Sequence, residues 1–386
     1  MRPCLPFSIT AMLLFAAATG APSAATAAPP VPSKAWTDDD ILLAESAGSF
    51  AVSPDGQRAV WVKSRTDEEK GERVSNLFLS RLAGERGEVQ LTRGKDRVRD
   101  PRWSPDGKTI AFLSTRALPE KKEKGDDPAK TQLWLVGAEG GEPWPLTTLD
   151  RGIAGFAWKE DATLVIAAPE EKSLLEQKRK AAKDTAQVVE DAEREPPVRL
   201  FSVEVKGGKL ARLTENRDWI DWVEVSPDGR WAVASHQQSL SFQYDNRVPP
   251  VLKLHDLMAG TTRSLLEGTR VLATSAQWAP DSNGFYFVQS YSSHPTYYTA
   301  TIQLLQYVDA QTGTATPVDL QWRNGLGTPR VLPTADGFLA LLADGVRFRP
   351  ARYARAGSGW TRHDLSGEHA RNVFDWALGK DATTLV

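Results

Sequence analysis

Cysteine is all but missing from this chain: one residue, Cys4, in 386. It precedes an apolar run from Leu5 to Ala18 and the small-residue stretch Ala25-Thr26-Ala27. With the basic Arg2 in front, this is the layout of a secretory signal cut near Ala27 or Ala28. Cys4 lies too early to be a lipoprotein cysteine, and the run is short for a membrane span. The expected mature chain therefore has no thiol, which excludes disulfides and cysteine chemistry, and its expected location is periplasmic or secreted, with no membrane attachment after cleavage. Charge of one sign is missing too. Lys and Arg number 47 against 49 Asp and Glu, with no basic or acidic tail, which argues against nucleic acid or an acidic lipid surface as partner.

The signatures of catalysis are also absent. There is no Gly-x-Ser-x-Gly elbow; Gly357-Ser358-Gly359 has the wrong spacing. The five histidines, His236, His255, His294, His363 and His369, include no pair three or four residues apart, so a helical zinc motif is unsupported. No glycine-rich phosphate loop occurs. The sequence thus nominates no catalytic residue, no metal ligand and no cofactor.

What the chain does have is repetition. Ser-Pro-Asp-Gly occurs at Ser53–Gly56, Ser104–Gly107 and Ser226–Gly229. Proline pre-sets φ for a turn, glycine accepts a positive φ, and Ser and Asp can bond nearby backbone amides. Each copy precedes a short apolar run: Ala59-Val60-Trp61, Ile110-Ala111-Phe112 and Trp231-Ala232-Val233. That is a hairpin signal. Degenerate copies follow Trp158, Trp278, Thr334 and Trp376, so that markers recur every 43 to 67 residues. A third strand follows in each unit, as in Asn76-Leu77-Phe78-Leu79 and Gln132-Leu133-Trp134-Leu135. A closing phrase such as Gln90-Leu91-Thr92, Pro145-Leu146-Thr147 or Arg212-Leu213-Thr214 supplies the fourth. Four strands at a period near fifty predict an all-β propeller of four-stranded blades, about seven in number with the last incomplete.

The expected organisation is a signal over 1–27, a linker with a short helix over 28–47, and the propeller over 48–386. Thr37 followed by three aspartates opens the helix. Two charged inserts, Arg116–Thr131 and Pro169–Pro197, fall between second and third strands, and the second reads as helical over Glu171–Lys183. The tryptophans before the turns, Trp103, Trp158, Trp278 and Trp376, are expected to pack between blades. Two aromatic-polar stretches, from Ser239 to Arg247 and from Tyr291 to Tyr298, occupy the same rim as the inserts. Their rings and hydrogen-bonding groups suit peptide contact, and Phe242, Tyr244, Arg247, His294 and Tyr297 are the candidate contacts.

Val52-Ser53-Pro54-Asp55-Gly56, Arg102-Trp103-Ser104-Pro105-Asp106-Gly107, Leu133-Trp134-Leu135 with Gly140-Gly141-Glu142-Pro143, and Val225-Ser226-Pro227-Asp228-Gly229 together carry a resemblance. Over roughly 36–386 the chain resembles the N-terminal β-propeller of prolyl oligopeptidase-family serine peptidases, in the dipeptidyl aminopeptidase and acylaminoacyl-peptidase branch. The resemblance implies oligopeptide substrates, a gating role for the propeller, and a partner in the form of a C-terminal α/β-hydrolase domain that carries the Ser, Asp and His. Nothing up to Val386 holds such a triad, so the chain is expected to be a fragment, inactive alone. The turn phrase also occurs in other exported propellers, and the alternative expectation is a stand-alone periplasmic, TolB-like protein-binding propeller.

Overall fold

The computed structural model describes residues 37–386 except 70, 85–86, 119–129, 171–177, 180, 185–194, 268–274, 293, 295–300, 358, 372 and 381–383. The signal segment, Tyr297 and most of both charged inserts lie outside the described residues; of the expected helix, Lys178, Arg179 and Ala181 are described and are helical.

A short helix, α1 (Asp38–Leu42), comes first, closed by a capping box in which Thr37 and Asp40 bond each other's backbone. Strands follow in antiparallel groups of four. Unit one is β1 (Ser46–Val52), β2 (Arg58–Asp67), β3 (Glu72–Arg81) and β4 (Glu88–Gln90). Unit two is β5 (Val98–Trp103), β6 (Thr109–Ser114), β7 (Gln132–Gly137) and β8 (Trp144–Pro145). Unit three is β9 (Gly155–Glu160), β10 (Thr163–Pro169), β11 (Val198–Glu204) and β12 (Leu210–Arg212). Unit four is β13 (Trp219–Val225), β14 (Trp231–Gln237), β15 (Val251–Asp256) and β16 (Thr261–Leu265), with a one-turn helix, α2 (Phe242–Asp245), between its second and third strands. Unit five is β17 (Ala276–Trp278), β18 (Gly284–Tyr291), β19 (Ile302–Asp309) and β20 (Ala315–Pro317). Unit six is β21 (Leu332–Thr334), β22 (Gly337–Asp344), β23 (Arg347–Ala356) and β24 (Gly359–Asp364).

These units do not form about seven separate blades. Four stand as separate four-stranded sheets, and units three and four merge into one eight-stranded sheet. The merger rests on a single parallel pairing, Val198 with Trp219. Among the described residues the expected seventh unit shows one bridge, between Leu378 and Leu385. It still packs: Trp376 is buried against Leu339 and Leu341 of unit six, and a methyl group on Gly48 of β1 would lie 3.9 Å from Asp375 Oδ2. The last segment thus packs on the sixth unit and approaches the first strand of unit one.

Second and third strands read as near-continuous apolar runs because both their faces are buried. Alternation sends Ile110 and Phe112 of β6 to the cluster shared with unit one, and Ala111 and Leu113 to the cluster shared with unit three. The same division repeats at the joints between units three and four, four and five, and five and six. Core is therefore distributed between units rather than collected at one centre.

The Ser-Pro-Asp-Gly turn is built alike in all three copies. Ser104 Oγ donates to Asp106 at 2.7 Å and accepts from the Thr109 N–H at 3.0 Å, while Asp106 accepts from the Lys108 N–H at 3.1 Å. Ser53 and Ser226 make the corresponding bonds with Asp55 and Asp228. All three serines are buried.

Candidate functional site: the rim and the hub

In an antiparallel group of four, the connection from second to third strand and the one leading to the next unit leave by the same end. The Ser-Pro-Asp-Gly turns leave by the other. The described ends of the two charged inserts, α2 and the start of the segment after β18 therefore share one rim. On α2, Tyr244 is 69% exposed, and Phe242 is half-buried. The helix ends at Asn246, whose φ of 56° reverses the chain. Asp245 accepts from the Arg247 N–H at 2.9 Å, and the Arg247 side chain points into solvent. His294 lies exposed at the corresponding place in unit five, with its N–H on Ser292 Oγ at 3.3 Å. The structure thus places Phe242, Tyr244 and Arg247 in one connection and His294 in its neighbour. Tyr291, Val346 and Phe374 add exposed apolar surface to the same rim.

The first strands of successive units lie against one another and line the hub. Four of them, β1, β5, β9 and β13, slip register, between Gly48 and Ala51, Arg99 and Arg102, Trp158 and Glu160, and Ile220 and Trp222. Such bulges re-aim side chains. Ser49 and Asp100 both take a φ of 54° there. The bulge in β5 sets Arg102 to reach past unit three to Glu224 on β13, with two parallel bonds of 2.7 and 2.8 Å. Asp100 accepts from Arg102 Nε at 3.0 Å, and the guanidinium lies 5.2 Å from the Phe156 ring centroid of β9. One arginine thereby holds three consecutive units. Burial pushes the Glu224 carboxyl up against the pull of Arg102. Burial likewise raises Asp221, which accepts from Gln237.

The turn tryptophans do more than fill the joints. Trp103 Nε1 donates to Ala51 O at 2.9 Å, Trp158 to Arg102 O at 3.1 Å, and Trp278 to Glu224 O at 3.2 Å. Each indole clips its own first strand to the preceding one. Sequence reasoning assigned packing to these residues and missed the clip. It also missed Arg102 and Glu224, which are 122 residues apart and carry no shared motif.

Among the described residues there is no group of three or more His, Cys, Asp or Glu side chains that would hold a metal ion, and no helix long and apolar enough to cross a membrane.

No family model matches the chain. Three curated bacterial proteins do, among them the following two. An uncharacterized peptidase, YuxL, of Bacillus subtilis is 33% identical over 215 residues, 52% of this chain and 31% of that protein. Dipeptidyl-peptidase 5 of Porphyromonas endodontalis is 24% identical over 272 residues, 64% of this chain and 38% of that protein. The chain is related to peptidases. It spans less than half the length of these relatives. Solved structures agree on the fold. A prolyl endopeptidase matches with a TM-score of 0.55 at 12% identity, over 88% of this chain and 45% of its own. The β-propeller domain of the trilobed protease of Pyrococcus furiosus matches at 0.53 and 12%, over 86% and 87%. TolB of Acinetobacter baumannii matches at 0.50 and 14%, over 84% and 67%. The chain is thus related in sequence to peptidases, and in fold it matches propeller-bearing peptidases and TolB alike.

Proposed function

We propose that this chain is the non-catalytic propeller of an exported serine peptidase, and that it admits oligopeptides while excluding folded proteins. The observation that carries the reading is the sequence relationship to peptidases over a chain whose described residues form a propeller-like array of four-stranded units. In such a protein the acyl-transfer chemistry belongs to a separate α/β-hydrolase domain. The array contributes a perimeter of exposed rings and charges, Tyr244 and Arg247 among them, and a hub narrowed by the Arg102–Glu224 pair. The TolB-like alternative has fold similarity behind it but no comparable sequence relationship.

The test is binding. Isothermal titration of the full chain with unstructured peptides of about ten residues should give weak, saturable heats. Tyr244→Ala with Arg247→Ala should weaken them about tenfold, the loss of one good contact or about 1.4 kcal/mol. Tight binding of a folded periplasmic protein, with no peptide affinity, would favour the TolB-like role instead.

A further inference from the structure

Strand pairing buries a row of titratable groups that peptide gating does not use. His236 shares a face of β14 with Ala232 and Ala234, which pack on Val165, Ala167 and Leu200 of unit three. His255 pairs with Ala232 across β15 and lies on that face too. Ala234 between them is small, so the rings meet above it, Nε2 to Nε2 at 3.1 Å. The two histidines are 0% and 3% exposed. Asp218 Oδ1 lies 2.6 Å from His236 Nδ1. Lys253 Nζ and Gln238 Nε2 donate to Asp218 Oδ2, each at 2.8 Å. Asn216 Nδ2 donates to Asp218 Oδ1 at 2.8 Å. At the far end His255 Nδ1 is 2.8 Å from the hydroxyl of Thr262, an exposed residue of the outer strand.

The groups facing the pair divide by element. Unit four supplies Asp218 and Lys253, with Asp221 bonded to Gln237 at the same end. On the face that carries the rings, unit three packs Val165, Ala167 and Leu200. Its charged pair, Arg199 with Glu170, is one step away, with Arg199 Nε donating to Asn216 O.

Proton counting then fixes the chemistry. Two Nε2 atoms at this separation hold one proton between them. The ionised Asp218 takes the His236 Nδ1–H, so His236 Nε2 accepts from His255 Nε2–H, and His255 Nδ1 accepts from the Thr262 hydroxyl. One added proton fits. It arrives from solvent hydronium at His255 Nδ1, His255 passes its Nε2 proton to His236, and the Thr262 hydroxyl turns to accept. The charge then sits on His236 beside Asp218, and no heavy atom has moved. A second proton does not fit, because it sets two N–H groups against each other in a dry site beside Lys253.

We propose that Asp218, His236, His255 and Thr262 form an acid-operated latch on the joint between units three and four: one proton is absorbed through the relay, and the second opens the joint. The joint is where the two units are fused by the single Val198–Trp219 pairing, so its opening separates one sheet into two blades. The proposal does not rest on the peptidase reading.

Hydrogen exchange of the full chain between pH 8 and pH 4, corrected for intrinsic rates, tests it. Protection of β11 and β13–β15 should fall roughly tenfold per pH unit for one linked proton, on the acid side of about pH 6.5. Units one and six should keep theirs. His255→Gln, which cuts the relay and removes one of the two titrating rings, should make the joint's protection clearly less steep with pH, leaving the share carried by His236 and Asp218. A flat wild-type profile, equal losses in every unit, or an unchanged profile in His255→Gln would overturn the latch. Should that variant not fold, nitrogen-15 NMR of the wild-type imidazoles decides. At pH 7.5 the expected tautomers are Nδ1–H for His236 and Nε2–H for His255, and two histidines titrating independently near 6.5 would overturn it.

Discussion

The fold depends on a few side chains repeated at fixed places. Serine and aspartate of each turn satisfy three backbone or side-chain groups at a buried corner, and the glycine that follows takes a φ near 70°. At Gly229 the neighbouring unit adds a second requirement, because a Cβ there would sit 2.8 Å from Lys159 O. Ser104→Ala removes a donor and an acceptor at once and should cost about 1–3 kcal/mol, read as a lower urea midpoint. Gly229→Ala combines backbone strain with that clash and should cost at least as much as Ser104→Ala in the same assay. A midpoint unchanged in both would mean the turns are decorative. The turn phrase was legible because each residue in it acts on its own neighbours. The closing threonines were legible as markers but not in their role. Thr92, Thr147 and Thr214 accept the N–H of Leu77, Leu133 and Leu200 at 2.9, 2.9 and 3.0 Å, which ties the fourth strand back to the third. That bond joins residues about fifteen positions apart, and only the register reveals it.

At the scale of strands and joints, energy is placed where units meet. The Arg102–Glu224 bridge is half-buried and bidentate, so removing one partner leaves a charge uncompensated. Arg102→Ala should destabilise more than Glu224→Gln, and the double variant should lose less than the two losses added, with a coupling of about 1–3 kcal/mol. Additive losses in denaturant unfolding would show that the pair does no bridging. The histidine joint gives a pH signature. Burial pushes His255 down to about 3, and burial lowers His236 as well despite Asp218. Both are lower folded than unfolded, so the unfolded chain binds more protons below about pH 6.5, and stability must fall as acid is added. Asp218 adds to this: burial opposes ionisation, but hydrogen bonds from His236 and Lys253 win and hold it well below the carboxylate range. Its contribution is present above the unfolded value near 4 and is lost below it. The Tm should drop from pH 7 to pH 4, and substitution of both histidines by glutamine should flatten the upper part of that slope. None of this was legible in the sequence, because His236 and His255 are 19 positions apart and meet only through strand pairing.

The molecule as a whole is a propeller-like array whose strands were legible almost one by one. Runs such as Phe285-Tyr286-Phe287-Val288 and Phe338-Leu339-Ala340-Leu341 are buried on both faces, and the hairpin turns punctuate them. The count of separate blades was not legible, since one parallel pairing fuses units three and four and, among the described residues, only a bridge marks the seventh. The rim was legible as composition, in the rings and charges of the connection through α2, while the hub's arginine bridge required the array itself. The most direct measurement is fluorophosphonate labelling of the purified full chain, run beside hydrolysis of aminoacyl and dipeptidyl chromogenic substrates. The expected result is no labelled serine and no turnover above buffer; a single stoichiometrically labelled serine with measurable turnover would contradict the non-catalytic reading.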